Sequence, residues 1–103
     1  MIRVDFAELY YIKGMGNYVK IYTCTDTFVV YDTVKNIMAS LQHGPFLRIH
    51  KSYIVNTDKI DLYTKEFVEI NKKHISIGRS YRQDTLQFLS GEPPVYNKKN
   101  SIN

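Results

Sequence analysis

Arg48, His50, Lys51 and Ser52 put a guanidinium, an imidazole, an ammonium and a hydroxyl within one short stretch, Phe46-Leu47-Arg48-Ile49-His50-Lys51-Ser52-Tyr53-Ile54-Val55-Asn56. Apolar residues flank that polar set on both sides. Alternation from Phe46 to Ile49 predicts one half-buried strand, and Tyr53 to Val55 predicts another. The set therefore sits on the tip between two strands, where a rigid frame can present side chains for recognition. Chemistry of other kinds has little support. The chain contains no Gly-x-Gly-x-x-Gly, no Walker loop, no His-Glu-x-x-His and no cysteine pair. His43, His50 and His74 lack ligand spacing, and a lone Cys24 completes no zinc site. Cys24 lies in a strand pattern, which predicts a small core-filling side chain. Asp58 and Asp61, three apart in an expected strand, should face opposite ways. The expectation is a binding protein rather than an enzyme, with no cofactor and no metal.

The elements that must hold this tip are mostly strands. Leu9 to Ile12 reads as a strand, with a short one before it around Arg3 to Phe6. Gly14-Met15-Gly16-Asn17 is a loop whose glycines and asparagine permit positive φ. Tyr18 to Cys24 alternates, with Val19, Ile21 and Thr23 on one face and Tyr18, Lys20 and Tyr22 on the other. A turn at Thr25-Asp26 leads into Thr27 to Tyr31. The period then changes: Val34, Ile37, Met38 and Leu41 mark one face of a helix, capped by Asp32 or Thr33 and stopped by Gly44-Pro45. Ile60 to Tyr63 and Phe67 to Ile70 predict a hairpin, and Asn71-Lys72-Lys73 turns into a further strand, His74 to Ile77. Gly78 breaks that strand, and Tyr81, Thr85, Leu86 and Leu89 suggest a last short helix. The chain should form one domain over residues 1–89, with a disordered tail over 90–103.

The 103 residues are 44% hydrophobic and include nine Tyr, five Phe and no Trp, a composition that favours strands over a modest core. No apolar run approaches the ~18 residues of a membrane span. The N-terminus lacks a signal-peptide core, and the single cysteine fits a cytoplasmic protein. The net charge of +4 says less than its distribution. No acid lies between Asp32 and Asp58, an interval holding Lys35, Arg48, His50 and Lys51. None lies between Glu69 and Asp84, where Lys72, Lys73, His74, Arg79 and Arg82 sit. Two such segments on one surface would attract phosphate, whereas scattered they would be ordinary solvated charge.

The motif at Phe46 to Asn56 resembles the signature of LytTR-type DNA-binding domains, Phe-x-Arg-x-His-Arg-Ser-Tyr-x-Val-Asn. Tyr11-Ile12-Lys13-Gly14-Met15-Gly16-Asn17-Tyr18-Val19 is similar to the family's early Tyr-Ile-Glu-Ala-x-Gly-Asn-Tyr-Val. Ile75-Ser76-Ile77-Gly78-Arg79-Ser80-Tyr81 is similar to its late Ile-x-Val-Ser-Arg-x-Tyr. Together they span roughly residues 4 to 89. The resemblance implies a mostly β fold, an elongated stack of small antiparallel sheets with one or two short helices. It also implies the output half of a bacterial response regulator, binding promoter DNA through loops that enter successive major grooves, often as a dimer on repeated sites. The contact loops would be Gly16-Asn17-Tyr18, His50-Lys51-Ser52 and Gly78-Arg79-Ser80. Arg79 matches the family arginine that reads bases.

Side-chain chemistry gives these positions roles. Arg79 can fork onto guanine O6 and N7, and Asn17 can pair with adenine or hold a phosphate. Lys20 and Lys51, as flexible point charges, suit phosphates better than base edges. Arg48 and His50 should share one face of their strand. His50 either meets a phosphate or ties its own turn together by a hydrogen bond. Asn56 reads as a turn-former. Lys13 stands where the family has Glu, and Lys51 where it usually has Arg. The family domain tends to begin with further strand before residue 4, preceded by a receiver domain. Neither is present in this sequence, which fits a fragment or a stand-alone member. Two alternatives remain: an RNA or single-strand binder whose tyrosines stack bases, and a β-type protein interaction module using edge strands.

Overall fold

The alternating segments become two antiparallel sheets, and the 3.6-period segment becomes a helix. The computed structural model describes residues 5–91. The first sheet contains β1 (Leu9–Gly14), β2 (Val19–Thr23), β3 (Thr27–Val30), β4 (Phe46–His50) and β5 (Tyr53–Asn56), in the order β3-β2-β1-β5-β4. The second contains β6 (Leu62–Tyr63), β7 (Phe67–Ile70) and β8 (Lys73–Ser76), in chain order. Helix α1 (Val34–Ser40) links β3 to β4, and α2 (Arg82–Ser90) follows β8. Thr33 caps α1, its Oγ1 accepting from Asn36 N at 3.1 Å, while Asp32 Oδ1 accepts from Asn36 Nδ2 at 2.8 Å. The Asn36 side chain, contributing most, and Thr33 N, donating to Asp32 Oδ1 at 2.8 Å, hold the Asp32 carboxyl below its ordinary pKa. Gly91 ends α2 in the left-handed conformation, φ 73°, where a side chain would be strained.

The large sheet is covered by α1 on one face and, over β1, β5 and β4, by the second sheet on the other. Leu9, Ile12, Val19, Phe46 and Ile54 pack with Leu41 under α1, joined by Ile21, Val30, Val34, Ile37 and Met38. On the opposite face, Ile49 and Val55 pack against Val68, Ile70, Ile75 and Ile77, with Tyr81 and Leu89 alongside. A β-bulge in β1 and another in β4 adjust which side chains reach which core. Pairing skips Tyr10 between Leu9 and Tyr11, so Tyr10 and Tyr11 both join the second core while Leu9 and Ile12 join the first. Pairing likewise skips Ile49, so Ile49 and His50 stand together on the second face.

Asn56, 1% exposed, locks the start of the fold to its centre. Its Nδ2 donates to the carbonyls of Phe6 and Leu9 at 2.9 and 2.8 Å, and its Oδ1 accepts from Asp58 N at 3.0 Å. The structural role read from the sequence is thus the observed one.

Several expectations need correction. Phe6 begins a 3-10 helix, Phe6–Glu8, rather than ending a strand, and Arg3 lies outside the described residues. Cys24 is exposed, because Thr23 starts the turn: its Oγ1 accepts from Asp26 N at 2.9 Å, and the chain leaves the sheet before Cys24. Asp58 is not in a strand, since capture of its N–H by Asn56 winds Thr57–Lys59 into a 3-10 helix. Asp58 and Asp61 therefore border one depression with Tyr10, Lys59 and Asn71. The expected β6 shortens to two residues because Ile60 turns into the second core. The tail expected over 90–103 falls outside the described residues beyond Gly91.

Asn56→Ala removes both donors from the carbonyls of Phe6 and Leu9 and should cost about 2–3 kcal/mol, the penalty for buried acceptors left unpaired. In a thermal melt that corresponds to a drop of roughly 10 °C or more for a domain of this size. A melting temperature unchanged from wild type would refute the role of this side chain.

Candidate nucleic-acid interface

Three loops meet at one end of the large sheet because two backbone hydrogen bonds hold them there. Gly14 N donates to Ser52 O at 2.7 Å, joining the β1–β2 loop to the β4–β5 turn. Gly78 N donates to Ile49 O at 2.8 Å, joining the segment after β8 to the same turn. Both glycines are there for close approach. A Cβ on Gly14 would overlap Val34 Cγ2, and one on Gly78 would lie 3.1 Å from the Tyr81 ring and 3.4 Å from His50 Cα. Gly16 has a different reason, its φ of 91°, which lets the β1–β2 loop turn back with Met15 N on Tyr18 O at 2.8 Å.

The β4–β5 turn is two residues long, Lys51 and Ser52. Two-residue hairpins usually rely on positive φ, yet among the described non-glycine residues only Asn71 and Lys72 have it. Side chains supply the constraint instead. His50 Nδ1 accepts from Ser52 N at 3.0 Å, which places the neutral ring's proton on Nε2. Arg48 reaches forward so that its Nη2 donates to Lys51 O at 2.6 Å and its Nε to His50 O at 3.4 Å. The guanidinium carbon also stands 5.9 Å from the centre of the Tyr81 ring. Of the two roles left open for His50, tying the turn is the one observed. Arg48 and His50 do not share a face as expected: the bulge sets Arg48 opposite Ile54 and His50 opposite Tyr53, neighbours whose side chains alternate.

What these braces present is exposed. Lys51 projects from the tip, and Ser52 is half-buried behind it. Arg79 and Ser80 are exposed on the 3-10 helix Arg79–Tyr81, which rests on β4 through the half-buried Tyr81. His50, Lys51, Gly78, Arg79, Ser80 and Tyr81 border one shallow cleft. Asn17 is exposed in the β1–β2 loop, Tyr18 is half-buried, and Lys20 lies on β2 just behind. Tyr18 leans towards Tyr31, ring centres 5.8 Å apart.

The two basic segments converge only in part. Lys51 and Arg79 share the cleft, but Lys72 and Lys73 turn the β7–β8 hairpin at the other end of β8. His74 stacks on Phe67 at 4.0 Å between ring centres and meets Glu69 Oε1 at 3.0 Å. Sequence reasoning missed that Arg48 acts inward, and it left the role of His50 open between the turn and a phosphate. Their spacing gave no hint of it, because the contacts run along a turn whose bulge is invisible in alternation.

The comparisons agree with this geometry. The family model described as the LytTr DNA-binding domain matches residues 1–90. An uncharacterized response regulatory protein of Vibrio cholerae is 29% identical over 82 residues, 71% of this chain. The chain spans only 31% of that relative's length. Among solved structures, the LytTr DNA-binding domain of a Bacillus cereus protein, described as a methyl-accepting/DNA response regulator, superposes with a TM-score of 0.73. That match covers 87% of each chain at 20% identity, a likeness of fold. A mostly β chain carrying all three motifs, matched by the family model almost end to end, belongs to the LytTR DNA-binding domain family.

Proposed function

We propose that this domain binds double-stranded DNA sequence-specifically, as the output domain of a bacterial response regulator whose receiver precedes it. The observation that carries the reading is the side-by-side anchoring of three loops by the Gly14–Ser52 and Gly78–Ile49 hydrogen bonds. Those bonds fix Asn17, Lys51 and Arg79 along one end of a rigid sheet, the arrangement needed for side chains that enter adjacent stretches of groove.

Roles divide by what each side chain already holds. Arg79 and Lys51 are exposed, and their side chains have no hydrogen bond or ion pair among the described residues. Arg79 reads a guanine edge, and Lys51 grips a phosphate with Ser52 and Ser80 beside it. Asn17 and Tyr18 meet the duplex from the β1–β2 loop. Arg48 and His50 position the turn, and His50, which borders the cleft, offers its Nε2–H to the DNA backbone. Single-strand stacking has weaker support: Tyr11 and Tyr22 lie on each other at 4.5 Å, and Tyr53 stands against His50 at 5.2 Å, so those rings are engaged.

Selection of bound duplexes from a random pool, repeated at two salt concentrations, tests the reading and returns the site. On that site Arg79→Ala should cost about 1–3 kcal/mol while leaving the melting curve unchanged. Wild-type affinity and specificity in that variant would remove Arg79 from the interface. Lys51→Ala should weaken every sequence alike and lower the salt slope by roughly one. Equal affinity of the wild type for single strands and duplexes would overturn the double-stranded assignment itself.

A further inference from the structure

Cross-strand pairing sets one continuous row of residues across the whole large sheet. Val29 stands opposite Lys20, Lys20 opposite Lys13, Lys13 opposite Tyr53, and Tyr53 opposite His50. The row lies on the face away from α1, since its neighbours Gly14 and Val19 face the helix. It also lies just behind the three loops: Lys13 immediately precedes Gly14, and His50 immediately precedes the Lys51-Ser52 turn. Two lysines thus stand directly across from each other. Like charges so placed are destabilising, and a sheet ordinarily pairs them or spreads them.

Among the described residues no carboxylate pairs with either lysine. Strands β1, β2 and β3 carry no acid. The carboxylate that follows β3, Asp32, is engaged by Asn36 and Thr33 at the start of α1. Among the described residues the one ion pair is His74 with Glu69, on the other sheet. Both lysines are half-buried and Val29 is 47% exposed, so the stems lie along the sheet while the face stays open. Neighbouring strands lie about 4.8 Å apart, which puts Lys13 roughly 10 Å and Lys20 roughly 14 Å along the row from His50. These lengths are close to the ~12 Å width of the major groove. A duplex that takes the Lys51 turn into its groove therefore brings a flanking strand of phosphates over the lysines.

We infer that Lys13 and Lys20 together form a seat for a backbone phosphate of the bound duplex. The inference rests on the proposed function and extends the interface from the loops onto the sheet face. The seat offers charge without base contact, so it sets affinity and register rather than sequence. Occupation by a phosphodiester also removes the repulsion that the free domain carries.

The test is a titration of the full chain onto the selected duplex over a series of salt concentrations, comparing wild type, Arg79→Ala and the double variant Lys13→Gln/Lys20→Gln. The double variant should lose affinity on specific and unrelated duplexes by the same factor, with a salt slope lower by roughly two. Its melting temperature should equal or exceed that of wild type, because a like-charge pair has been removed. Lys13→Glu should bind more weakly than Lys13→Gln. Unchanged affinity and slope in the double variant, with Arg79→Ala still impaired, would overturn the seat and leave the DNA-binding reading standing. Binding lost in step with a lowered melting temperature would overturn it too, since the fold would then be the cause. Absence of duplex binding by the wild type would remove the proposed function and the seat together.

Discussion

Strand β5 has to serve two hydrophobic cores at once, and the rest of the domain is arranged around that constraint. Ile54 points under α1 and Val55 points toward the second sheet, each with no exposed surface. A slip of one residue in register would exchange the two faces and bury neither correctly. Its partners β1 and β4 must therefore pair at one register, and each contains a bulge that reconciles this register with its own sequence. Asn56 ends the strand by tying down the carbonyls of Phe6 and Leu9, so the chain's start is held by the same element.

The fixed register of β5 also fixes the tip. The β4 bulge brings His50 round to the face of Tyr53, where its ring can accept the Ser52 N–H. Arg48, left on the other side, reaches the turn's carbonyls from behind. A motif rich in cations thus spends two of its three basic side chains on holding its own backbone. The backbone that carries Lys51 is thereby held in one place, and so is the backbone leading to Arg79, through Gly78 and Ile49. Rigid presentation lowers the conformational entropy lost on binding and lets few contacts discriminate between sequences.

Charge follows the same division of the molecule. The end that carries the three loops keeps exposed cations without internal partners, and the Lys13–Lys20 pair adds to them on the sheet face. At the far end, Asp58 and Asp61 gather near Asn71, and His74 meets Glu69. Lys59, Lys72 and Lys73 lie there too, so the loop end is distinguished by cations without partners and not by the sign of its charge.

Much of this was legible in the residues themselves. Alternation located the strands on both sides of Lys51-Ser52, the 3.6-residue period located α1, and three short motifs identified the family. These are local signals, because side-chain periodicity and turn chemistry act over a few residues. Alternation could not reveal the bulges at Tyr10 and Ile49, since a bulge exists only relative to the strand across from it. It could not show that Cys24 lies beyond its strand's end, that Arg48 turns inward, or that Lys13 meets Lys20. The sequence by itself determined which residues were available for binding and which elements carried them. Only the tertiary structure decided which became braces and which stayed exposed, because pairing between distant strands sets who faces whom.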